Sequence, residues 1–346
     1  MNLRSTLLRA VVPALIGVGV VVWLFLDDFN PRAWQLLSFN WHTVAALAAA
    51  VIFVLGRDFG LAWRFKTITD GDLSWRRAFR VDIMCAFTSA ITPSAVGGSA
   101  LAIFYLNREG VSVGKATTLT LTTLLLDELF FVVFCPLLVL LLPLDQLFGA
   151  TADNALLHSI RVVFWLVYAG IVAWTAILFT GIIARPDWLE RAVNRLFSIR
   201  LLRRWQRGAA EMTGNMRATS AWVRTRSHRW WLNVFGATTL SWFSRYLVVN
   251  AIFWGLVPDA SPILVFGRQF VVWVVLMISP TPGGSGVSEW LFTNYYGDLI
   301  GNVSVALVIA TVWRLLSYYL YLFAGAVLAP SYFRSKKSTS DNSEKL

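Results

Sequence analysis

ISPTPGGSGVSEWLFTNYY, residues 278–296, interrupts an apolar part of the chain with two prolines, three glycines and one carboxylate. Helix propensity disfavours proline and glycine at such positions. A second stretch, ITPSAVGGSALAIFYL at residues 91–106, repeats the order of proline, then Gly-Gly-Ser, then an apolar arm. Two copies of a broken apolar segment predict an internal repeat with a site between the copies.

The composition indicates an integral membrane protein. Hydrophobic residues make up 57% of the 346 positions, charged residues only 14%, and the mean hydropathy is +0.62. The net charge of +11 could indicate nucleic-acid binding, but 11 of the 30 basic residues are arginines between Arg185 and Arg229. That stretch lies between predicted spans, so the positive-inside rule explains it better. We therefore expect no nucleic-acid partner.

Apolar segments of about 20 residues predict full crossings of a hydrocarbon core about 30 Å thick. The predicted spans are residues 7–26, 41–63, 117–142, 161–184, 230–257 and 303–329. Segments 79–106 and 263–296 are also apolar but are broken by proline and glycine. The first arm of the earlier one, residues 81–92, would reach only about 18 Å as a helix. Each segment could be a re-entrant hairpin or one broken span.

The charges in the connections between the apolar segments distinguish these alternatives. Suppose that each broken segment enters and leaves the membrane on one side. Three connections then share one face of the membrane: the connection that holds Arg64, Lys66 and Arg76, the connection that holds Arg108 and Lys115, and residues 185–229. That face is cytoplasmic by the positive-inside rule, and both termini lie there. The sequence thus predicts an all-α polytopic membrane protein with about six full transmembrane helices and two oppositely oriented re-entrant helical hairpins in an inverted repeat.

The spacing within the two copies agrees with this repeat. Asp127 follows Pro93 by 34 residues, and Arg314 follows Pro280 by 34 residues. Each hairpin is therefore followed by a span with a charge at the matching place, of opposite sign in the two copies.

We expect a single integral membrane domain over residues 1–330, with repeats at about 41–184 and 230–330 and a basic cytoplasmic connector at 185–229. Between Trp188 and Trp205, apolar residues recur at near-helical spacing among arginines. This suits a surface helix that binds anionic lipid headgroups, although a solvated linker whose arginines only set orientation explains the charge equally well. The polar tail, 331–346, is predicted to be disordered.

Charged residues inside the predicted hydrocarbon zone are the first candidates for a site. Each costs about 2.5 to 3.5 kcal/mol at a helix centre, so these residues should face inward and pair. They could be ion pairs that hold the bundle together, or they could line a cavity in which arginines receive a phosphate-bearing headgroup. The candidate substrate-binding residues are Arg245, Arg268, Arg314, Glu289, Asp127 and Glu128, with Ser99, Thr281 and Ser285 at the same depth.

The prolines and glycines of the broken segments are candidates for a hairpin or gate. Glycine permits backbone conformations closed to other residues and lets N–H groups approach a ligand. Alternatively, these residues only turn the hairpin and allow close helix packing. The residues concerned are Pro93, Gly97, Gly98, Pro280, Pro282, Gly283, Gly284 and Gly286.

Catalytic and metal-binding signatures are missing from the sequence. The histidines fall at span ends or in connections, and no His-Glu-x-x-His motif, Walker loop or clustered Cys/His spacing is present. We therefore expect no enzyme, no cofactor and no metal. An intramembrane enzyme would have to use acids without an obvious partner.

The residues Pro282-Gly283-Gly284-x-Gly286-x-x-Glu289, Pro93 with Gly97-Gly98, and Arg108-x-Gly110 resemble the lysylphosphatidylglycerol synthase transmembrane region family, a flippase-like membrane domain. The resemblance covers roughly residues 7–329. It implies movement of a lipid between leaflets through a cavity formed by inverted hairpins, in a bacterial or archaeal cytoplasmic membrane, with a homodimer as one assembly. Many members carry an acidic residue followed by arginine where this chain has Asp127-Glu128. The role of that arginine is therefore not assigned to a residue of this chain. No transferase domain follows Ala329, so aminoacylation is not expected.

The leading functional hypothesis is a lipid flippase or transporter. It would move an anionic or phosphate-bearing lipid or lipid-linked headgroup between leaflets through a midplane cavity. The alternative is an intramembrane lipid-modifying enzyme, or an accessory subunit of a lipid or glycolipid synthesis pathway. A third hypothesis is a scaffold that binds lipid-pathway partners through the arginine-rich connector.

Overall fold

The predicted all-α class is confirmed in the part of the chain that the structure describes. A computed structural model describes residues 40–92, 96–149, 155–198, 204 and 206–334, and these residues form helices joined by short connections. The predicted first span, 7–26, lies outside the described residues, as does Pro93. The predicted disordered tail begins in a helix that continues to Arg334, and residues 335–346 lie outside the described part.

The helices follow one another with few residues between them, and two of them continue through a π-helical turn. In chain order they are α1 (Trp41–Ile68), α2 (Trp75–Ile91), α3 (Val96–Arg108), α4 (Val113–Leu141), α5 (Leu144–Phe148), α6 (Ala155–Phe179, with a π turn at Thr180–Ala184), α7 (Pro186–Phe197), α8 (Gln206–Val223), α9 (His228–Leu256), α10 (Pro262–Leu276), α11 (Val287–Tyr295), α12 (Gly297–Ile300), α13 (Val303–Arg314, with a π turn at Leu315–Tyr319) and α14 (Leu320–Arg334).

Four helices of the described ranges are long and apolar enough to cross a membrane. They are Trp41–Ile68, Val113–Leu141, Ala155–Ala184 and Val303–Pro330, and each contains most or all of a predicted span. The predicted span at 230–257 forms the 29-residue helix α9, which is long enough to cross but is not one of the four. Its tryptophan, asparagine, serine and arginine residues lower its mean hydropathy. The chain is a multi-pass membrane protein, and the count of six full spans stays a prediction.

The chain forms two compact units. Among the described residues, the first unit comprises 40–55, 80–98 and 244–334, and the second comprises 56–79 and 99–243, with the gaps given above.

Small residues allow close helix contacts within the first unit. A Cβ at Gly255 would lie 2.6 Å from the Ala46 Cβ, and a Cβ at Gly325 would lie 2.2 Å from the Phe87 Cβ. Glycine therefore brings α9 against α1 and α14 against α2, which is how membrane helices gain packing contacts. The Phe292 ring stacks on a neighbouring tyrosine at a centroid distance of 4.4 Å and holds α11 in the core.

The second unit is built around α4. This helix packs against α6 and α8, and its Leu125 joins Leu178, Ile182 and Val223 in a fully buried apolar cluster. Elsewhere in the unit, a Cβ at Gly60 would lie 2.9 Å from a backbone atom of α9, so glycine allows α1 and α9 to touch.

The basic connector is helical. Helix α7 begins with a proline at its first turn and packs against α8, and Arg217 of α8 contacts Asp187 at 3.2 Å and Glu190 at 3.4 Å. Trp188 and Leu196 of α7 are 52% and 51% exposed. The amphipathic helix predicted from residue 188 to 205 is thus present but ends at 197, while 199–203 and 205 lie outside the described residues.

Each broken segment is held together at its two ends. In the second unit, Arg77 at the start of α2 and Glu109 just after α3 form an ion pair of 3.6 Å. In the first unit, the hydroxyl of Tyr296 after α11 lies 3.3 Å from the carbonyl oxygen of Val265, near the start of α10, and 2.9 Å from Gln269 Oε1. Because α10 has 15 residues, it reaches only about 22 Å, less than a hydrocarbon core.

The helix after the first break begins earlier than its composition suggests. Gly97, Gly98 and Ser99 lie in the first turn of α3, which starts at Val96. The expectation that Gly97 and Gly98 form the turn itself is therefore corrected. The reason is position: the two glycines follow the proline by four and five residues, so the helix has already begun when the chain reaches them.

Candidate functional site

The Pro-Gly turn between α10 and α11 needs glycine for its backbone. Gly283, Gly284 and Gly286 have φ values of 57°, 70° and 81°, a region that residues with a Cβ rarely adopt. Gly283 is also constrained by space, because a Cβ there would lie 2.2 Å from the Tyr318 ring and 3.1 Å from the carbonyl oxygen of Ala90. The turn and its two neighbours therefore pack without room for a side chain.

Glu289 lies in the first turn of α11 and is 1% exposed. Its Oε2 accepts hydrogen bonds from the Gly286 backbone N–H and the Ser288 hydroxyl, both at 2.8 Å. Its Oε1 accepts from Arg314 Nε at 2.9 Å. The helix N-terminus also favours a negative charge at this position. The carboxylate is therefore fully coordinated although it is buried.

Arg314 is the last residue of α13 and is 5% exposed. Besides Glu289, it binds the Gly283 carbonyl oxygen through Nη2 at 3.1 Å, and its guanidinium lies 4.0 Å from the Tyr318 ring centroid. Within the described ranges, Nη1 makes no hydrogen bond. The predicted pairing of an arginine with Glu289 is thus present, and one guanidinium nitrogen remains available to a ligand.

Tyr318 links the Pro-Gly turn to the end of α2. Its hydroxyl donates to the Ala90 carbonyl oxygen at 3.2 Å and lies 2.9 Å from the Ser285 hydroxyl, which is also 2.7 Å from the Pro282 carbonyl oxygen. Tyr318 belongs to the π turn after Arg314, a distortion often found at functional sites. Ala90 precedes Pro93 by three residues, so the first broken segment reaches the second one here.

The remaining candidates of this turn lie beside it. The Thr281 hydroxyl is 3.1 Å from that of Ser279, while Pro280 is exposed. Pro282 contributes only its carbonyl oxygen to the contacts described above. These residues shape the turn, and of the two candidate hydroxyl residues described here, Ser285 contacts Tyr318, whereas Thr281 lies beside Ser279.

The other two candidate arginines of the first unit have different partners. Arg268 is 1% exposed and binds both carboxylate oxygens of Asp298, with Nη2 2.6 Å from Oδ2, and it also donates to the Tyr295 carbonyl oxygen at 2.8 Å. The guanidinium of Arg245 lies 4.5 Å from the centroid of the Trp273 ring. The structure therefore brings Arg314 to Glu289, and it gives Arg268 and Arg245 contacts elsewhere in the unit.

Asp127 lies in the middle of α4 in the second unit, and its partner is Arg64. Arg64 Nη1 is 2.6 Å from Asp127 Oδ1, and the Trp242 indole N–H donates to the same oxygen at 2.9 Å. The neighbouring Glu128 is partly buried, and its Oε2 is buried without a hydrogen bond in the described part of the chain. The side chain of Ser99 lies outside what is described.

The placement of Arg64 in a cytoplasmic connection was wrong. The apolar run ends at Trp63, so hydropathy alone cut the span there, whereas α1 continues to Ile68 and Arg64 is buried. One feature of the sequence indicates that Arg64 is buried. Gly60 lies one helical turn earlier and marks the face of α1 that touches α9, and Arg64 continues that face.

Three basic connections of the second unit meet on one face. Lys115 binds Asp72 at 2.6 Å, and Arg226 binds Asp70 at 2.8 Å while its guanidinium lies 4.2 Å from the Trp222 ring centroid. The connections after α1, before α4 and after α8 are therefore neighbours, as the loop-charge argument requires.

Long apolar helices, with the buried Arg314–Glu289 ion pair at a Pro-Gly turn, are typical of a multi-pass membrane protein that carries polar groups in its interior. Residues 10–325 match the lysylphosphatidylglycerol synthase TM region family, a membrane domain linked to lipid handling, and because this match covers most of the chain, the protein belongs to that family. The chain is similar to a UPF0104 membrane protein of Archaeoglobus fulgidus, with 22% identity over 325 residues, 90% of this chain and 94% of the relative. No solved structure matches the chain.

Proposed function

We propose that this protein moves an anionic or phosphate-bearing lipid between membrane leaflets and leaves the lipid chemically unchanged. One observation carries the proposal. A buried arginine, Arg314, lies at a Pro-Gly turn where the two broken segments meet, in a membrane protein of a lipid-handling family. A phosphate headgroup is the ligand that a buried guanidinium suits best.

The Arg314 contacts support headgroup binding that can be reversed. Glu289 neutralises the guanidinium when no lipid is bound, and Nη1 is available to a phosphate oxygen while Nε keeps its bond to Glu289. Arginine and carboxylate together lower the cost of holding a charge at membrane depth. The lipid phosphate therefore gains the contact with Nη1 of Arg314 while Glu289 keeps its own contact, and this keeps the binding of the headgroup weak enough for release.

Tyr318 is the proposed gate. Its hydroxyl joins Ser285 of the turn to Ala90 of α2, and its ring covers the Arg314 guanidinium. Two such hydrogen bonds contribute about 1 kcal/mol each, so opening them is compatible with a transport cycle. Release of Tyr318 would separate the broken segments and uncover Arg314.

The helix boundaries support the proposed inverted repeat. Helices α1 and α9 begin at residues 41 and 228, α2 and α10 begin at 75 and 262, and α3 and α11 end at 108 and 295, so each of these pairs is 187 residues apart. The ion pair between Arg77 and Glu109 brings the two ends of the first broken segment together, which supports a re-entrant hairpin. With α1, α4 and α6 as three crossings of the first copy, the second copy would have the opposite orientation.

The basic face of the second unit is the proposed cytoplasmic side, in the cytoplasmic membrane of a bacterium or archaeon. The exposed Trp188 and Leu196 of α7, with Arg191 and Arg195 beside them, would rest on anionic headgroups there. This contact would orient the connector and is separate from the transport site.

Translocation of a fluorescent anionic lipid in proteoliposomes tests the proposal. Wild-type protein should accelerate movement of the label to the opposite leaflet relative to protein-free liposomes, and R314A with E289A should abolish the acceleration. The D72N variant, which changes the exposed ion pair with Lys115, is the control and should retain activity. Unchanged translocation by the double variant would remove the site assignment. A new covalent lipid product, detected by mass spectrometry, would favour the lipid-modifying enzyme instead.

A further inference from the structure

The guanidinium of Arg64 is incompletely satisfied inside the second unit. Arg64 is 6% exposed, and its Nη1 binds Asp127 at 2.6 Å and Thr238 at 3.4 Å. Its Nε is buried and has no hydrogen-bond partner among the described residues, which also supply none to Nη2. Buried donors in proteins are normally paired, so the buried Nε points to a missing acceptor, and the unused Nη2 beside it can bind the same group.

The two unused nitrogens lie on the same edge of the guanidinium. This edge binds two oxygens of one phosphate or carboxylate in a fork, which is the geometry that makes arginine a strong phosphate ligand. Asp127 occupies the other end of the group, and 24% of its side chain is exposed. The ion pair is therefore partly open to its surroundings on the side of Asp127.

The surroundings of Asp127 suit a lipid rather than a soluble ion. The Trp242 indole N–H fixes the carboxylate, and the Phe130 ring stacks on Trp242 with centroids 5.6 Å apart, while Phe131 meets the same indole edge-on at 4.8 Å. The charged pair thus lies against an aromatic wall within an apolar helix bundle.

The ion pair of Arg268 has a different form. Arg268 binds both oxygens of Asp298 with two nitrogens, so its fork is occupied. Arg64 uses a single nitrogen for Asp127, although the contact at Gly60 already holds α1 against α9. The open fork is therefore not needed to join these helices.

We propose that the Nε–Nη2 edge of Arg64, beside the contact with Asp127 that Trp242 fixes, forms a second binding site for the phosphate group of an anionic lipid. The site lies in the second unit and is additional to Arg314. The proposal rests on the proposed lipid transport and names a second position for the headgroup in that process.

Equilibrium binding to the purified full-length protein in detergent tests the number of sites. The probe is dioctanoylphosphatidylglycerol, measured by isothermal titration calorimetry. Wild-type protein should bind two molecules, R64Q and R314Q should each bind one, and the double variant should bind none. Two molecules bound by R64Q would overturn the proposal.

Two further ligands identify the source of the phosphate. Dioctanoylglycerol has the same chains without phosphate and should not bind at the Arg64 site. Inorganic phosphate should compete with the lipid only weakly if the aromatic wall contributes to binding. If dioctanoylphosphatidylglycerol and inorganic phosphate bind with equal affinity, the site binds phosphate without recognising the lipid, and the lipid assignment is overturned.

Two variants separate the phosphate site from a structural ion pair. R64K keeps the charge opposite Asp127 but lacks the fork, so it should fold with an unchanged melting temperature and lose about tenfold in lipid affinity at this site. D127N removes the carboxylate that competes for Arg64 and should tighten lipid binding there by several-fold. A structural pair predicts no gain in lipid affinity for D127N.

The two proposals fail in distinguishable ways. If R314Q abolishes all lipid binding and R64Q changes nothing, the second site is absent and the proposed function stands. If R64Q removes binding while R314Q does not, the assignment of Arg314 fails and Arg64 is the headgroup ligand.

Discussion

Arg314 and Glu289 form a hydrogen-bonded ion pair of 2.9 Å between the end of α13 and the first turn of α11, with both side chains almost completely buried. The remaining oxygen of Glu289 binds Gly286 and Ser288, so the pair also fixes the turn that precedes α11. A charge pair is thereby coupled to the backbone of the Pro-Gly turn. Disturbing either residue should affect both the fold of the turn and the proposed headgroup site.

Removing one partner of this pair should be more harmful than removing both. R314M leaves Glu289 charged and buried, which we expect to cost about 3 to 5 kcal/mol of stability. The double variant R314M/E289L replaces the pair with apolar groups and should recover much of that loss. Thermal unfolding in detergent measures both. Equal destabilisation by the single and double variants would contradict the pairing.

Tyr318 should act through its hydroxyl as well as its ring. Y318F keeps the ring over Arg314 but removes the bonds to Ala90 and Ser285, so we expect a loss of about 1 to 2 kcal/mol. S285A removes one of the same contacts, and the two losses should therefore be less than additive in the double variant. Strict additivity in thermal unfolding would show that the two residues do not share a hydrogen bond.

Gly283 should tolerate alanine much less well than another glycine of the same backbone type. Gly301 has φ 68° and no atom within 4 Å of a Cβ, so G301A should cost only the conformational strain, about 1 kcal/mol. G283A adds a clash with the Tyr318 ring and should be markedly more destabilising, with loss of lipid translocation. The comparison uses melting temperatures and proteoliposome transport. Similar behaviour of the two variants would argue against close packing at the turn.

The proposed orientation can be tested with single cysteines. Cys85 and Cys135 are first replaced by alanine, and cysteine is then introduced at the exposed positions of Asp72 or Asp259. A membrane-impermeant maleimide added to intact cells should label D259C and should reach D72C only after the membrane is opened. Labelling of both from the same side would contradict the inverted repeat.

Hydropathy and residue chemistry were sufficient for the main elements of this protein. Runs of apolar residues indicate membrane-crossing helices because a charged or polar stretch cannot cross hydrocarbon, and four such helices are present. Proline and glycine indicated where the apolar segments break. The cost of burying charge singled out Arg314, Glu289 and Asp127, and all three form ion pairs.

Only the tertiary structure decided which of these groups meet. Hydropathy averages over a window and has no information on the rotation of one helix against another, so it cut α1 before Arg64 and missed the partner of Asp127. The same limit applies to Arg268, which binds Asp298 beyond the broken segment. Tyr318, which contacts Ala90, lies in a π turn that changes the helical register after Arg314. The local sequence does not predict such a turn. Hydropathy along the chain predicts which residues are buried, whereas the pairing of buried charges depends on how helices that are distant in sequence pack together.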